Sequence, residues 1–388
     1  MTALGIAGLA GAIALLLSLL LPVAVKPLLV RLGIMDVPNE RSSHERPVLR
    51  GLGLAVLIAM TVAGLVAVWG LSASGPAAVP LLGAAGEFEV VAVRNGWGGA
   101  AVPLILVVLG SLCAGLLGLA EDLRGLSVRV RSAALLAIAA AAGAGIVFAA
   151  QHSAVDVGFV GGGAAGFGWW AFAPLGPLPV WASVLLVGYA VLFISSYINV
   201  ANFMDGLNGI SGFHGVIAGL AFAASGWCVA QPWLVAAGLV LAAGFGGFLP
   251  WNLTKPGAFL GDVGSYLLGG ATAITSFAAL MFGVPLLAAI GPMVISFGDV
   301  GVTLVKRIRA GHKWDEPHKE HTYQRIHQRG YTHVQASLMA ASCSAIASIL
   351  GLASIFVGPI GTAALFVGGL AVLGIYLALP KLLPVRAG

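Results

Sequence analysis

The sequence predicts an all-α, polytopic integral membrane protein, and three observations carry the prediction. Hydrophobic residues make up 59% of the 388 and charged residues only 9%, with a mean hydropathy of +1.02. The apolar residues gather in runs, each near the roughly 20 residues that a helix needs to cross the hydrocarbon. Acids, bases and histidines are left to short polar segments between the runs, as expected where a bilayer makes ionised groups costly.

Eleven spans are predicted, over 2–25, 51–72, 101–120, 132–150, 180–198, 213–230, 233–249, 266–282, 285–305, 334–356 and 360–380. The first run has no Lys or Arg before Lys26, so it lacks the basic leader of a signal peptide and is expected to stay as a span with the N-terminus outside. Alternation from there sends 18 of the 19 Lys and Arg residues to one side and leaves only Arg94 on the other. That asymmetry predicts a cytoplasmic C-terminus and a cytoplasmic position for each motif segment below.

No repeat, low-complexity tail or soluble segment interrupts the pattern, so residues 1–388 read as a single membrane-embedded domain. On the outer side Glu87 to Val93 predicts a short strand and Gly161 to Gly163 a turn, while Trp97, Trp169, Trp170 and Trp181 suit an interfacial belt. The net charge of +5 and pI near 9.3 come from bases spread along the inner face. Lipid headgroups and a phosphorylated substrate are the expected partners, and nucleic acid is not. Cys113, Cys228 and Cys343 lie in apolar runs without paired spacing, which argues against disulfides and against a thiolate metal site.

The polar segments hold the candidate chemistry. Asp36 to Arg50 offers Arg41, Arg46 and Arg50 with Ser42, Ser43 and His44, donors suited to an anion; a snorkelling, topology-setting loop has the same composition. Glu121 and Asp122 end the third run beside Arg124, Arg129 and Arg131. Adjacent acids repel unless a cation is shared, so they read either as a base or cation ligand, or as a helix end paired with its arginines. Asn199 to Gly212 carries Asn202, Asp205 and Asn208 among glycines, and Phe259 to Ser265 carries Asp262 where a helix starts. Free backbone N–H groups there suit phosphate and Asp262 suits a cation, while close helix packing and a helix cap are the plainer readings. Beyond Pro317 a short helix is predicted to put His318, His321 and Arg325 on one face, suited to a diphosphate; a zinc site lacks a third ligand, and a solvated surface helix is the plainer reading. Asp299 alone lies well inside a run, with Lys306 or Arg307 as its expected partner.

Taken in order, the Asp36 to Arg50 loop, the acidic pair followed by Leu-Ser and Arg, Asn-Phe-Met-Asp-Gly, Gly-Asp-Val-Gly-Ser and His-x-x-His-x-Tyr-Gln-Arg resemble the polyprenyl-phosphate N-acetylhexosamine-1-phosphate transferases, glycosyltransferase family 4. The resemblance implies a Mg²⁺-dependent enzyme of the bacterial inner membrane, with Mn²⁺ as the other candidate metal. Its substrates would be a UDP-N-acetylhexosamine and a polyprenyl phosphate, and its products a lipid-linked diphosphate sugar, which starts a cell-envelope glycan, and UMP. By the same resemblance Asp262 and Asp205 would bear the metal, Asn202 the nucleotide and Phe259 uracil. Asp122 would act as a base or position phosphate. His318, His321 and Arg325 would hold the diphosphate, Arg41, His44 and Arg50 would complete the rim, and Glu121 and Asn208 would also contact substrate. A homodimer is also admitted.

The chain departs from the family pattern at Asn208, where many members carry Asp, and at Glu121, which stands for the first Asp of the pair. The histidine segment resembles the branch that begins O-antigen and related polysaccharides, which favours an N-acetylhexosamine, deoxy sugars such as N-acetylfucosamine or N-acetylquinovosamine included. The competing class is a secondary transporter of an anionic solute, which would set its polar site near the bilayer midplane.

Overall fold

The computed structural model describes residues 1–36, 48–74, 77–82, 88–93, 101–152, 178–254, 257–312 and 318–386. Among them, 11 helical segments are long and apolar enough to cross a membrane, and the chain is a multi-pass membrane protein. The helices are α1 (Ala3–Arg31), α2 (Gly53–Ala73), α3 (Ala101–Arg124), α4 (Val128–His152), α5 (Val180–Met204), α6 (Ile210–Cys228), α7 (Pro232–Leu253), α8 (Gly261–Met281), α9 (Leu286–Ile290), α10 (Val294–Arg309), α11 (Thr322–His327), α12 (His333–Ala353) and α13 (Pro359–Leu382). The ninth span is α9 and α10 joined through a 3₁₀ turn at Gly291–Met293, where Pro292 forbids a continuous ladder. The helix α11 is too short and too polar to cross, and lies between the ninth span and α12.

Among the described residues two short antiparallel strand pairs accompany the bundle. Met35–Asp36 (β1) pairs with Val48–Leu49 (β2), and Ala77–Leu82 (β3) pairs with Phe88–Val93 (β4). The second contains the strand expected from Glu87 onward. The turn at Gly161 to Gly163 lies outside the described residues, as do Trp97, Trp169 and Trp170. Trp181 stands exposed at the start of α5, as an interfacial residue would.

The helix α8 is the axis of the fold. Every one of its residues except Asp262 is buried, and it packs against α2, α3, α4, α5, α6 and α7. A helix apolar on all sides can be satisfied only in such a central place. Close approach requires small residues: a Cβ on Gly118 of α3 would collide with the carbonyl of Asp262. By contrast α13 is almost wholly unburied along its apolar window, and apart from Thr362, Tyr376 and Pro380 its residues are at least partly exposed.

Candidate active site

The first turn of α8 is where the distant motifs meet. Gly261 has φ +74°, and a Cβ there would lie 2.6 Å from Oδ2 of Asp122, so glycine is needed both for its backbone angle and for its space. With the turn set this way, the backbone N–H groups of Asp262 and Val263 donate to Oδ1 and Oδ2 of Asp122 at 3.0 and 2.9 Å. Asp122, from the end of α3, thus caps α8 from another helix. Its side chain is 1% exposed and both oxygens are occupied. That geometry organises the site and leaves the carboxylate poorly placed to take a proton from a reactant.

Arg50 holds the acids together. The segment after β2 is fixed by Arg50 N–H to Ile34 C=O at 3.3 Å, Phe259 N–H to Leu49 C=O at 2.9 Å and Leu52 N–H to Phe259 C=O at 3.1 Å. From there Arg50 Nε reaches Asp122 Oδ1 at 3.1 Å and its NH2 reaches Asp262 Oδ2 at 2.8 Å. Asn202 Nδ2, on the last turn of α5, donates to Asp262 Oδ1 at 2.8 Å and to Ser265 Oγ at 3.0 Å. Asp262 keeps an 18% exposed side chain, the open member of the group. Phe259 is half-buried on the strap between α7 and α8.

Asp205 follows the C-terminus of α5 and accepts from Ser211 Oγ at 2.7 Å. Loss of water around this half-buried carboxyl pushes its pKa up to about 6; the Ser211 hydrogen bond and Arg50 oppose the shift, while Asp262 and Asp122 add to it. Asp122, Asp205 and Asp262 therefore share one electrostatic neighbourhood in which a single guanidinium does not cancel the negative charge.

The histidine segment arrives beside Asp205, in a form the sequence did not predict. Thr322–His327 alone is helical, so His318 and His321 precede the helix rather than share its face with Arg325. The rings still gather: His318 and His321 are 4.8 Å apart between centroids, and Tyr323 stacks on His321 at 5.8 Å with 9° between planes. Tyr323 Oη donates to the carbonyl of Phe203 at 3.0 Å. A Cβ on Gly206 would lie 2.5 Å from that hydroxyl, so the segment leans directly on the Asp205 loop. Arg325 is half-buried on α11.

Other expected residues have different partners. Glu121 accepts from Leu126 N–H at 3.0 Å and pairs with Arg131 at 3.4 Å, closing the turn from α3 to α4 rather than facing Asp262. Asn208 is a brace: its Nδ2 donates to the carbonyl of Asn252, its Oδ1 meets His333 Nδ1 at 2.9 Å, and its own carbonyl accepts from Ser337 Oγ at 2.9 Å. Arg41 and His44 lie outside the described residues. Asp299 pairs with neither Lys306 nor Arg307. It accepts from Thr322 N–H at 3.0 Å and from Tyr376 Oη at 2.8 Å, and Arg307 instead pairs with Glu320. Sequence reading missed Asp299 as a neighbour of the histidines, although a lone acid in an apolar run was itself the signal.

The sequence signature of glycosyl transferase family 4 matches residues 104–280. The chain is 28% identical over 368 residues to the decaprenyl-phosphate N-acetylglucosaminephosphotransferase of Mycolicibacterium smegmatis, covering 86% of this chain and 79% of the relative. It is 27% identical over 342 residues to the probable undecaprenyl-phosphate N-acetylglucosaminyl 1-phosphate transferase of Bacillus subtilis, covering 87% and 82%. A phospho-N-acetylmuramoyl-pentapeptide-transferase of Desulforudis audaxviator is 31% identical over 211 residues, or 49% of this chain and 57% of the relative. The chain is thus similar to glycosyl transferase family 4 over residues 104–280 and, over most of its length, to bacterial polyprenyl-phosphate sugar-phosphate transferases.

Of the residues gathered at the site, Asp122, Asn202, Asp205, Phe259 and Asp262 lie in the matched stretch and Arg50, His318 and His321 outside it. The donor set fits a hard divalent cation of the kind the resemblance implies, in one particular way. Among the described residues no three acid, histidine or cysteine side chains form a closed metal cage. Magnesium, however, is commonly held by one or two carboxylates together with substrate phosphates and water, and Asp262 and Asp205 supply that much oxygen beside an excess of negative charge.

Proposed function

We propose that the protein transfers an N-acetylhexosamine 1-phosphate from a UDP-sugar to a polyprenyl phosphate at the cytoplasmic face of the bacterial inner membrane, releasing UMP. The observation that carries this reading is the Arg50 bridge between Asp122 and Asp262, at the head of a buried helix where Asp262 alone is partly open, and beside Asp205. Two anionic reactants must approach one another there, and charge compensation is the first requirement of such a reaction. Placement of the acids at helix ends is what an interfacial enzyme needs and a midplane transport site does not.

In this reading Asp262 and Asp205 would hold Mg²⁺, which supplies charge neutralisation at the diphosphate. Arg50 anchors Asp262 and adds positive charge at the rim. Asn202 fixes the second oxygen of Asp262, and Phe259 offers a ring face to uracil. His318, His321 and Arg325 donate to the diphosphate. An oxygen of the lipid phosphate attacks the phosphorus that carries the sugar; the bond from that phosphorus to the bridging oxygen breaks, and UMP leaves with the bridging oxygen and its electron pair. Since a lipid phosphate is already largely ionised near neutral pH, no base is required, consistent with an Asp122 whose oxygens are both engaged.

Names of the relatives favour UDP-N-acetylglucosamine as the first donor to test. Purified protein with polyprenyl phosphate, Mg²⁺ and a panel of UDP-sugars should release UMP from one of them, and Asp262→Ala should reduce the rate at least 100-fold. Equal turnover by Asp262→Ala and the parent would refute the metal assignment, and no UMP from any donor would refute the reaction.

A further inference from the structure

Asp299 is 0% exposed, lies on α10 and is absent from the chemistry above. Its carboxylate is the hub of the histidine segment. Oδ1 and Oδ2 accept from the backbone N–H of Thr322 at 3.0 and 3.1 Å, Oδ1 from Thr322 Oγ1 at 3.2 Å and from Thr303 Oγ1 at 3.3 Å, and Oδ2 from Tyr376 Oη at 2.8 Å. The remaining neighbour is His321, whose Nδ1 stands 3.6 Å from Oδ1. That nitrogen is buried and makes no hydrogen bond among the described residues. The distance is a few tenths of an ångström beyond hydrogen-bond range, a gap of the size that closes when a bound reactant tightens a site. The ring also lies against His318, tilted by 45°, and Tyr323, nearly parallel at 9°.

We propose that Asp299 is a positioning residue for His321: its buried carboxylate accepts a hydrogen bond from Nδ1–H and so leaves Nε2 as the nitrogen offered to the phosphorylated substrate. A carboxylate behind an imidazole fixes the tautomer and stabilises the ring when it carries positive charge, which is the state that binds an anion best. Thr322 and Tyr376 hold the carboxylate so that it cannot turn away. Asp299 acts through His321 and touches no reactant.

The inference rests on the proposed transfer reaction for one arm of its test and is independent of it in the other. In the activity arm, UMP release is compared for the parent, Asp299→Asn, His321→Gln and the double variant, each as the full chain with unchanged thermal unfolding as the entry condition. Each single change should lower kcat/KM by about 10–100-fold, and the double should fall no further than the worse single, since residues acting as one unit are not additive. Losses that multiply would overturn the proposal, as would parent-like activity in Asp299→Asn. In the second arm, ¹⁵N-histidine NMR of the parent and of His321→Gln identifies the His321 ring at a pH where it is neutral. The signal lost with His321 should be that of the Nδ1–H tautomer, and an Nε2–H tautomer would overturn the proposal even if Asp299→Asn does not fold. A parent that releases no UMP would refute the proposed reaction and leave the tautomer measurement to decide this one.

Discussion

Replacing Asp205 by Asn removes a charge that the fold holds at a cost. The carboxyl sits at a pKa of about 6 against an ordinary value of 3.8, chiefly because water is withdrawn from it. A raised carboxyl favours the folded state at low pH: the benefit is complete below the unfolded value near 3.8 and is lost as pH rises through about 6. Roughly two units at about 1.4 kcal/mol each set an upper limit near 3 kcal/mol on the strain at pH 8. Asn keeps an oxygen for Ser211 and carries no charge, so at pH 8 without metal the variant should unfold a few degrees above the parent. At pH 4 the two should coincide. Adding Mg²⁺ should raise the parent's unfolding temperature more than the variant's, because the variant has lost a carboxylate that would share the ion, while UMP release by the variant should fall at least 100-fold. Thermal unfolding of both proteins across pH, with and without Mg²⁺, is the assay. A constant difference between them at all pH values, or equal stabilisation by Mg²⁺, would refute the reasoning.

Three more outcomes follow from the geometry. Asp122→Asn keeps one acceptor for the two N–H groups at the head of α8 and weakens the Arg50 bridge, so thermal or denaturant unfolding should show a loss of about 1–3 kcal/mol, with a matching fall in activity. Gly261→Ala must adopt a left-handed backbone and press on Asp122, which should cost about 1–2 kcal/mol and lower kcat more than it raises KM, a split read from steady-state kinetics. Asn208→Asp turns a donor toward the carbonyl of Asn252 into an acceptor, and should destabilise the protein by about 1–3 kcal/mol; a variant as stable as the parent would show that Asn208 is not a brace.

The spans were legible because the requirement behind them is simple: about 20 apolar residues suffice to place a helix in hydrocarbon. Two of the ends that carry site residues were read too short. The helix α5 continues to Met204 and α3 to Arg124, since Asn202 and Asp122 find polar partners in α8 and need not leave the helix. Gathering of Asp122, Asn202 and Asp262 at one place is the part of the site that the motifs anticipated. What each side chain does there was not legible, because it depends on contacts far apart in the chain: Asp122 meets Val263, Asn208 meets His333, and Tyr376 meets Asp299. A pair of neighbouring acids looks like one functional unit in a sequence, yet Glu121 and Asp122 point to different partners and serve different turns.

The enclosure of α8 has a consequence for how the protein meets different membranes. A helix with no lipid-facing surface cannot feel a thicker or thinner bilayer directly; mismatch must be taken up by peripheral helices such as α13, through tilt or snorkelling. The acids at the head of α8 are thereby mechanically insulated, and turnover should vary little between short-chain and long-chain lipids even where the outer helices reorient.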